Sequence, residues 1–582
     1  MRIGTHGPRR TARVPPSGSR CTLGSAGQRS YVFYPILATW CLLLAMISLS
    51  ACVAPPTSSV PGAASSDVAT AEASTADAAA STASTPDPTL ATPVEIGPTG
   101  LPTSTAVPTS RPTPTPTPTS TPSPTPTPPP LPATCLRQAF AADVQICQAA
   151  PRYDIQLTVA PEQARITGRQ HITYTNAETE ALDTIVLRLL PNAPGYGGTM
   201  TVTHLLVSAQ SIPYQSWRDG TALRLPLEPP LEPGRIINLS MDFTVDVPTS
   251  NITGHGLFSY IRGVMALPTV YPLIPVYNEN GWNADMAPVH GDDVFSDVAI
   301  YNVEVTAPSA FTLVATGACG TPLDRTWRCK AAPMRDFTVI LGENFERVGR
   351  ETRGVVVNSY FYEWHAAGGA KALEVAVDAL EAFTDFFGPY PYTELDVVET
   401  PNYLGGMEYS GLVVVEDGLY PGVSTVEWLT AHEVAHQWWM VVVGNDQVNE
   451  PWLDEALTQY STMLYYEAVY GKQRADGILN AVFVQTHQAL RSAGRDMAAG
   501  LPADAYPSNL YFDIVYDKGA LYFHELRERV GDDLFFETLQ TYYSRHRYRI
   551  ATTESFLDTV EEVTGDRHRD LFEKWIAADA EE

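Results

Sequence analysis

The segment LTAHEVAHQWW, residues 429–439, holds two histidines four positions apart. A helix turns by about 100° per residue, so it would place His432 and His436 one turn apart on one face, where both imidazoles can reach the same metal ion. Glu433 would point to the side of that face. The alternative is a buried helix whose histidines only pack in the core. The spacing predicts a helix here and makes both histidines candidate metal ligands.

A third candidate ligand follows in NEPWLDEALTQY, residues 449–460. Glu455 lies 19 positions after His436 in a second helical pattern, and a turn through VGNDQV would let that helix run back beside the first. Two neutral imidazoles and one carboxylate, with a fourth position left to water, are the ligand set of catalytic rather than structural zinc sites. The alternative is a solvated Glu455 beside two core histidines.

Residues 1–51 are predicted to be a lipoprotein signal peptide. Residues 1–30 contain six arginines and no acidic residue, and an uncharged run extends from 31 to 51, which is the order of a secretory signal. The run ends in Leu49, Ser50, Ala51 and Cys52. This ending resembles the lipobox of bacterial lipoproteins, so we expect Cys52 to carry the lipid. The alternative is an uncleaved transmembrane anchor, since about 20 apolar residues span a bilayer. Both predict a membrane-anchored protein that faces away from the cytoplasm.

The composition of residues 52–133 indicates a segment that does not fold. Residues 52–133 are mostly Ala, Ser, Thr and Pro and end in RPTPTPTPTSTPSPTPTPPPLP. Such a segment has too few apolar side chains to offset the entropy of folding, so we predict a disordered tether.

The whole chain has 37 basic and 65 acidic residues and a net charge of −28. Nucleic acid, a polyanion, is therefore not expected as a partner.

The seven cysteines indicate the redox compartment. Two fall inside the predicted signal peptide and a third is Cys52, whereas the other four form two pairs of near neighbours. We predict one disulfide between Cys135 and Cys147 and another between Cys319 and Cys329, consistent with an oxidising exterior. The alternative is four free, buried thiols.

The remaining chain divides into a β-rich half and a half with long helices. Residues 134–347 contain short runs such as DIQLTVA, TIVLRLL and IINLSMDFTVDV, and their period-two alternation predicts an antiparallel, sandwich-like β-domain. After residue 365 the apolar period becomes helical, and two apolar runs, LDVVET and GLVVVEDG, interrupt the pattern. Helical patterns occur in GAKALEVAVDALEAFTDFFG and around residues 424–443, 452–471, 473–494, 513–531 and 533–545. We predict a multi-domain chain whose second, α+β domain covers residues 348–582.

Three motifs together resemble the M1 family of zinc aminopeptidases, the gluzincins related to aminopeptidase N and leukotriene A4 hydrolase. They are Gly405-Gly406-Met407-Glu408-Tyr409, His432-Glu433-x-x-His436 with Glu455, and VYDKGA at residues 515–520, and they stand in the family's order. The resemblance covers about residues 135–576. It implies a thermolysin-like fold for the second domain and a metallo-aminopeptidase that hydrolyses peptide bonds.

The resemblance also implies the metal and the catalytic residues. One Zn²⁺ ion would be held by His432, His436 and Glu455. Zinc lowers the pKa of a bound water molecule to about 7. Glu433 would act as the general base that takes a proton from this water, and it would then pass the proton to the leaving amine. Tyr516, at the family's Y-x-K-G position, would donate a hydrogen bond to the oxyanion of the tetrahedral intermediate. Without the resemblance, Tyr516 would be interpreted as an aromatic residue on a helix face.

The glycine-rich motif is implied to bind peptide substrates that have a free N-terminus. In the family this segment is an edge strand, where Gly405, Gly406 and Met407 would let a peptide add as a further strand. Glu408 would bind the substrate's α-ammonium group and restrict cleavage to the first residue; a solvated loop glutamate is the alternative. The family motif usually ends Met-Glu-Asn, so Tyr409 leaves the shape of the amine pocket open.

Several functional questions stay open at this point. A zinc endopeptidase of the same fold would leave Glu408 unengaged, and a binding module would keep the zinc site without the chemistry. The sequence leaves open whether the preferred side chain of the substrate's N-terminal residue is apolar or basic. Family members often continue into a helical domain that covers the cleft, whereas this chain ends at Glu582, so we expect an open cleft. His290, Asp292 and Asp293, in a loop that the family extends toward the site, are expected to be surface residues rather than substrate ligands.

Overall fold

The computed structural model describes residues 135–250, 256–286, 288, 290–292 and 294–577. The predicted signal peptide, the lipid-bearing Cys52 and the predicted tether lie outside the described residues. Within the described residues, no helix combines the length and the apolar composition needed to cross a membrane.

β-sheets make up the first half of the described chain, as predicted. The largest sheet has the strand order Ala318–Cys319, Thr326–Met334, Ala299–Thr306, Arg152–Ala160, Arg165–Thr175, Ile236–Asp246, Thr199–Val207 and Gln210–Ser211. Its pairs are antiparallel except for Arg152–Ala160 beside Ala299–Thr306. Smaller sheets contain Leu182–Arg188, Ala222–Leu231 and Gln215–Trp217; Thr312–Ala315, Thr338–Gly342, Val264–Pro268 and Ser259–Ile261; and Tyr277–Asn278 with Gly281–Trp282.

The strand Arg152–Ala160 shows how the sequence alternation forms the core of this half. Tyr153, Ile155, Leu157 and Val159 are buried, and the residues between them are exposed. Each buried side chain of this size contributes roughly 1.5–3 kcal/mol relative to exposure to water. A register slip of one residue would expose all four, so the pattern fixes the pairing.

One of the two predicted disulfides is confirmed. Cys319 and Cys329 lie directly opposite each other on adjacent antiparallel strands. Their Cα atoms are 4.1 Å apart and the sulfurs are bonded. The short hairpin brings the pair together, which is why near-neighbour spacing predicted it.

The predicted Cys135–Cys147 disulfide is wrong, because both thiols are free and buried. The 3₁₀ helix Gln138–Gln145 lies between them and at about 2 Å per residue spans roughly 16 Å, beyond the reach of a disulfide. The Cys135 sulfur instead lies 3.3 Å from both the backbone nitrogen and the carbonyl oxygen of Ala332. Burial raises the pKa of Cys135 to about 12 and that of Cys147 to about 11.

The second half combines a mixed sheet with helices. The sheet has the order Phe345–Thr352, Val355–Tyr362, Glu394–Thr400, Leu412–Glu416 and Gly406–Met407, and the last of these is a short edge strand. The α-helices are Ala366–Phe387, Val423–Ala435, Trp452–Tyr470, Lys472–Ile478, Gln485–Ser492, Gly519–Val530, Asp532–His546, Thr553–Thr564 and Arg569–Trp575. Two π-helical turns occupy Leu479–Val484 and Phe512–Lys518. Short 3₁₀ turns occupy Pro161–Gln163, Leu190–Asn192, Arg218–Gly220, Glu363–His365, Asp417–Leu419 and Ala503–Ala505.

The helix Ala366–Phe387 joins the sheet to the candidate site. It ends at Gly388, as the sequence predicts. A Cβ atom on Gly369 would overlap the ring of Phe361, so glycine allows the helix to lie close to the strand Val355–Tyr362. The other face of the helix packs against Val423–Ala435, which carries the two histidines.

The histidine helix is shorter than the sequence predicts, because it ends at Ala435 instead of continuing to residue 443. Arg335, buried in the β-rich half, holds the segment that follows in a non-helical path. Its guanidinium donates hydrogen bonds to the carbonyl oxygens of Met440 at 2.8 Å and Val441 at 3.0 Å. Met440 itself adopts φ of +109°, which a helix does not allow. A long-range contact therefore overrides the local helical pattern.

Candidate metal centre

Two neighbouring helices bring the three predicted metal ligands together. His432 lies in the last turn of Val423–Ala435, and His436 follows with helical angles. Glu455 lies in the first turn of Trp452–Tyr470. The two Nε2 atoms are 3.3 Å apart. Oε2 of Glu455 lies 3.6 Å from Nε2 of His432 and 3.2 Å from Nε2 of His436.

These separations fit a tetrahedral zinc ion. Ligand atoms at 2.0–2.1 Å from zinc in tetrahedral geometry are about 3.3 Å from one another. Oε2 of Glu455 is buried and faces the two imidazole Nε2 atoms, so the three ligand atoms converge on one point. His432, His436 and Glu455 are only 6%, 1% and 3% exposed. The donor set and its spacing therefore suit a bound divalent cation.

Residues behind the imidazoles orient them toward this point. Nδ1 of His436 lies 3.1 Å from the carbonyl oxygen of Trp439 and 3.2 Å from the Thr458 hydroxyl. Nδ1 of His432 lies 3.5 Å from the Thr462 hydroxyl. Protonation at Nδ1 leaves the Nε2 lone pairs for a metal.

Sequence reasoning did not identify the two threonines behind the ligands. The available signal was their position on the ligand helix, because Thr458 and Thr462 stand three and seven residues after Glu455 and so share its face. Both are fully buried. A buried threonine on a ligand-bearing face is a candidate partner for an imidazole.

The electrostatics of the site are dominated by carboxylates. Burial would raise the pKa of Glu455, but the two imidazoles outweigh burial and hold it well below its usual range. Burial lowers the pKa of His432, whereas at His436 the carboxylates of Glu408 and Glu455 outweigh burial and raise it. Burial, followed by the charge of Glu408, raises the pKa of Glu433. The site has more acidic than basic groups, and a bound divalent cation would neutralise this excess negative charge.

Glu433 lies against the glycine-rich edge strand. A Cβ atom on Gly406 would overlap Oε1 of Glu433, so only glycine allows the carboxylate and the strand to lie this close. Gly405 has φ of +97°, a conformation that glycine adopts without strain. The strand Gly406–Met407 pairs with Leu412–Glu416 on one side. Its other edge has no partner strand among the described residues, which leaves backbone groups for a ligand to pair with.

Glu408 extends from this strand into the same cavity as the candidate metal ligands. It is 4% exposed, and its Oε1 atom has no hydrogen-bond partner in the described structure. Burial raises its pKa to about 7. The position is therefore an internal carboxylate whose oxygen is available for a cationic group.

Tyr516 lies on the opposite wall of the cavity, in the π-helical turn Phe512–Lys518. Its ring stacks on His432 at 5.7 Å between centroids, and its hydroxyl donates a hydrogen bond to Oε1 of Glu455. Burial raises its pKa well above the usual range. The phenol is therefore a proton donor within reach of the metal ligands. π-Helical turns often occur at functional sites, and the sequence predicted an ordinary helix here.

The loop that was expected at the surface partly faces the site. His290 and Asp292 line the cavity. His290 Nε2 lies 3.0 Å from the carbonyl oxygen of Ala503, which ties the loop to the second half of the chain. Both residues are half-buried, so they lie at the edge of the site and keep part of the expected surface exposure, and Asp293 lies outside the described residues.

Known proteins resemble this chain in the part that carries the site. Residues 371–575 match the Peptidase family M1 domain. Aminopeptidase M1-B of Oryza sativa subsp. japonica is 29% identical over 243 residues, which cover 39% of this chain and 27% of that protein. Endoplasmic reticulum aminopeptidase 1 of Homo sapiens is 25% identical over 230 residues, which cover 37% of this chain and 24% of that protein. The chain thus matches about a quarter of the length of these relatives.

Solved structures extend the likeness to the whole fold. The M1 zinc metallopeptidase from Deinococcus radiodurans aligns with a TM-score of 0.55 at 22% identity, covering 75% of this chain and 95% of that chain. A mutant of that protein bound to a Tyr-Ser-Ala substrate aligns with a TM-score of 0.56 at 21% identity, covering 75% and 96%. The shared architecture is a β-rich domain followed by an α+β domain, as the sequence predicts.

Proposed function

We propose that this chain is a zinc aminopeptidase of the M1 family and that it removes N-terminal residues from peptides. The observation that carries the proposal is the unpaired, buried carboxylate oxygen of Glu408, which shares one cavity with the ligand set His432, His436 and Glu455. The metal ligands alone suit any zinc hydrolase. A buried anion beside them suits a substrate that carries its own positive charge at the chain end.

The metal is proposed to be one zinc ion. Zn²⁺ held by His432, His436 and Glu455 would supply Lewis-acid chemistry, acidifying a water molecule and polarising the scissile carbonyl. The separation of the ligand atoms and the burial of all three side chains support this assignment. The imidazoles stay oriented through their Nδ1 contacts, which lie away from the metal.

Glu433 is proposed to move the proton. Its Oε1 atom lies against Gly406, so the carboxylate lies between the edge strand Gly406–Met407, where the peptide would add, and the metal ligands. From there it would take a proton from the attacking water and deliver it to the leaving nitrogen. Tyr516 would stabilise the developing oxyanion by donating its phenol hydrogen, which requires that hydrogen to turn from Glu455 toward the substrate.

Glu408 is proposed to distinguish the end of a peptide from its middle. A peptide that adds to the edge of Gly406–Met407 gains backbone hydrogen bonds wherever it begins. Only a free α-ammonium group can pair with the carboxylate of Glu408, and an acetylated one cannot. A buried carboxylate left without its cation is destabilising, so binding a chain middle would be disfavoured.

The test compares one peptide with a free and an acetylated N-terminus, using the full-length, zinc-loaded chain and Glu433→Gln as the blank. Cleavage of the free peptide alone, abolished by a chelator and by Glu433→Gln, is the expected result. Equal cleavage of both peptides would favour the zinc endopeptidase. If the chain binds zinc but cleaves neither peptide, the interpretation as a binding module without catalytic activity is favoured.

A lipid anchor and an extracytoplasmic location remain part of the proposal. The lipobox-like Leu49-Ser50-Ala51-Cys52 supports them, and the Cys319–Cys329 disulfide is consistent with an oxidising compartment. Cys52→Ser should release the protein from the membrane fraction, and mass spectrometry of the wild type should show an acylated Cys52 at the new N-terminus. Retention of Cys52→Ser in the membrane would favour the uncleaved anchor instead.

A further inference from the structure

A second cavity adjoins the catalytic one behind Glu408. The two share walls at Gly291, Asp292, Leu404, Met407 and Glu408. Resting on the aminopeptidase function above, we propose that this second cavity receives the side chain of the substrate's N-terminal residue and selects lysine or arginine there.

The direction of the edge strand assigns the cavity to the N-terminal side chain. Glu433 lies against Gly406, so the scissile peptide bond of a bound substrate would lie beside Gly406. Along the strand, Gly405 and Gly406 line the first cavity and not the second, Met407 and Glu408 line both, and Tyr409 lines the second and not the first. A peptide whose amine is held at Glu408 has one residue on that side of the scissile bond. Its side chain is the part of the substrate that faces the second cavity.

Unpaired polar atoms on the cavity wall indicate what it binds. Apart from Oε1 of Glu408, which the α-ammonium group would occupy, Oε1 of Gln447 and the hydroxyl of Tyr409 are buried and lack a hydrogen-bond partner in the described structure. The Gln447 amide nitrogen donates to the carbonyl oxygen of Val294 at 3.1 Å, so the atom left over is an acceptor. A carboxylate oxygen likewise only accepts. The wall therefore suits a ligand that donates hydrogen bonds.

The charges that face the cavity favour a cation. Asp292 lines it beside Glu408. Arg218 is the single basic residue that the described wall contains, and Asp285 pairs with it at 2.6 Å. Asp336 is also on the wall but already accepts hydrogen bonds from the backbone and hydroxyl of Ser410. Once Glu408 holds the substrate's α-ammonium group, the carboxylate of Asp292 is left without a basic partner on this wall.

The rest of the wall is apolar and suits a long aliphatic stem. Leu257, Met286, Met407 and Met440 contribute thioether and methyl groups to it. Lysine and arginine combine such a stem with a cationic donor group at its end. Norleucine has the stem of lysine without the ammonium group, so it would fill the cavity and leave the acceptors unpaired. A site built to pair a polar group discriminates strongly against an analogue that lacks it.

The experiment measures kcat/KM of the full-length, zinc-loaded chain on three peptides that differ only at the first residue, which is lysine, arginine or norleucine. We expect lysine and arginine to exceed norleucine by at least ~10-fold. Gln447→Met should lower the lysine-to-norleucine ratio several-fold. Gln170→Met is the matched control, because Gln170 is buried, donates its amide to the carbonyl oxygen of Pro272 at 2.7 Å and has an unpaired Oε1, yet lines neither cavity.

Each outcome separates this inference from the function on which it rests. If the norleucine peptide is cut as fast as the lysine peptide, and acetylation still blocks cleavage, the basic pocket is overturned while the aminopeptidase stands. If acetylated peptides are cut equally well, both proposals fall. If Gln447→Met lowers all three values equally, or Gln170→Met changes the ratio as much, Gln447 is structural and its role in selection is overturned. Unfolding midpoints of both variants show whether their folds are equally intact.

Discussion

At the scale of single residues, Gly406 determines how close the carboxylate of Glu433, the proposed general base, lies to the edge strand Gly406–Met407. In Gly406→Ala the new methyl group would overlap Oε1 of Glu433, so the carboxylate would have to move. Displacement of a catalytic group by about 1 Å can cost ~100-fold in rate. We expect kcat to fall by that order while zinc content, measured by atomic absorption, stays at one equivalent.

Gly477→Ala is the control for this substitution. Gly477 lies in the helix Lys472–Ile478, and no atom stands within 4 Å of the position its Cβ would take. Alanine is favoured over glycine in a helix, so stability should stay the same or rise slightly. Equal losses of kcat in the two variants would show that Gly406 acts through the fold and not through Glu433.

Thr458 is the second residue whose effect can be separated from the fold. Its hydroxyl lies 3.2 Å from Nδ1 of His436, and loss of such a partner typically weakens metal binding by ~10–100-fold. Thr458→Val should therefore raise the zinc dissociation constant by at least ~10-fold in a chelator competition. Thr430→Val, a change at another buried threonine whose hydroxyl contacts nothing polar in the described structure, should leave zinc affinity near the wild-type value. Similar affinities for both variants would contradict the orienting role.

At the scale of elements, Arg335 holds the segment that follows the histidine helix. It donates to the carbonyl oxygens of Met440 and Val441 and, at 2.7 Å, to that of Arg549. Arg335→Met would leave these buried acceptors unpaired and Asp336 without its neighbouring cation. Each buried acceptor left unpaired costs about 1–3 kcal/mol, and denaturant titration should detect the loss. Arg165→Met, which removes an exposed pair with Asp246, should barely move the midpoint; comparable losses would contradict this account of Arg335.

Elements whose pattern is local could be predicted from the sequence, and those set by distant contacts could not. The helices Ala366–Phe387 and Trp452–Tyr470 match the apolar period, and the Cys319–Cys329 disulfide follows from a short hairpin. The non-helical path after the histidine helix is held by Arg335, about 100 positions earlier. The ligand spacing predicted the cluster itself, but the threonines behind it required knowledge of which helix faces pack together.

At the scale of the whole molecule, contacts between the two halves of the described chain predict that they unfold together. The backbone nitrogen of Thr393 donates to the carbonyl oxygen of Cys135 at 2.8 Å, and Gln447 and Arg335 also join segments from both halves. Most of these contacts are buried. Separating the halves would therefore expose unpaired polar groups in addition to apolar surface.

Zinc binding should consequently stabilise the β-rich half as well as the half that holds the ligands. A ligand that binds only the folded state at 100 times its dissociation constant adds about 2.7 kcal/mol, and removal of zinc by a chelator should lower the unfolding temperature of the full-length chain in one cooperative step. His432→Ala, which removes a ligand, should unfold at the same temperature with and without the chelator. Calorimetry distinguishes the alternatives, because two transitions, of which only one responds to the chelator, would mean that the halves are energetically independent. A single transition that moves as a unit would mean that residues such as Arg335 couple the metal centre to the β-sheets.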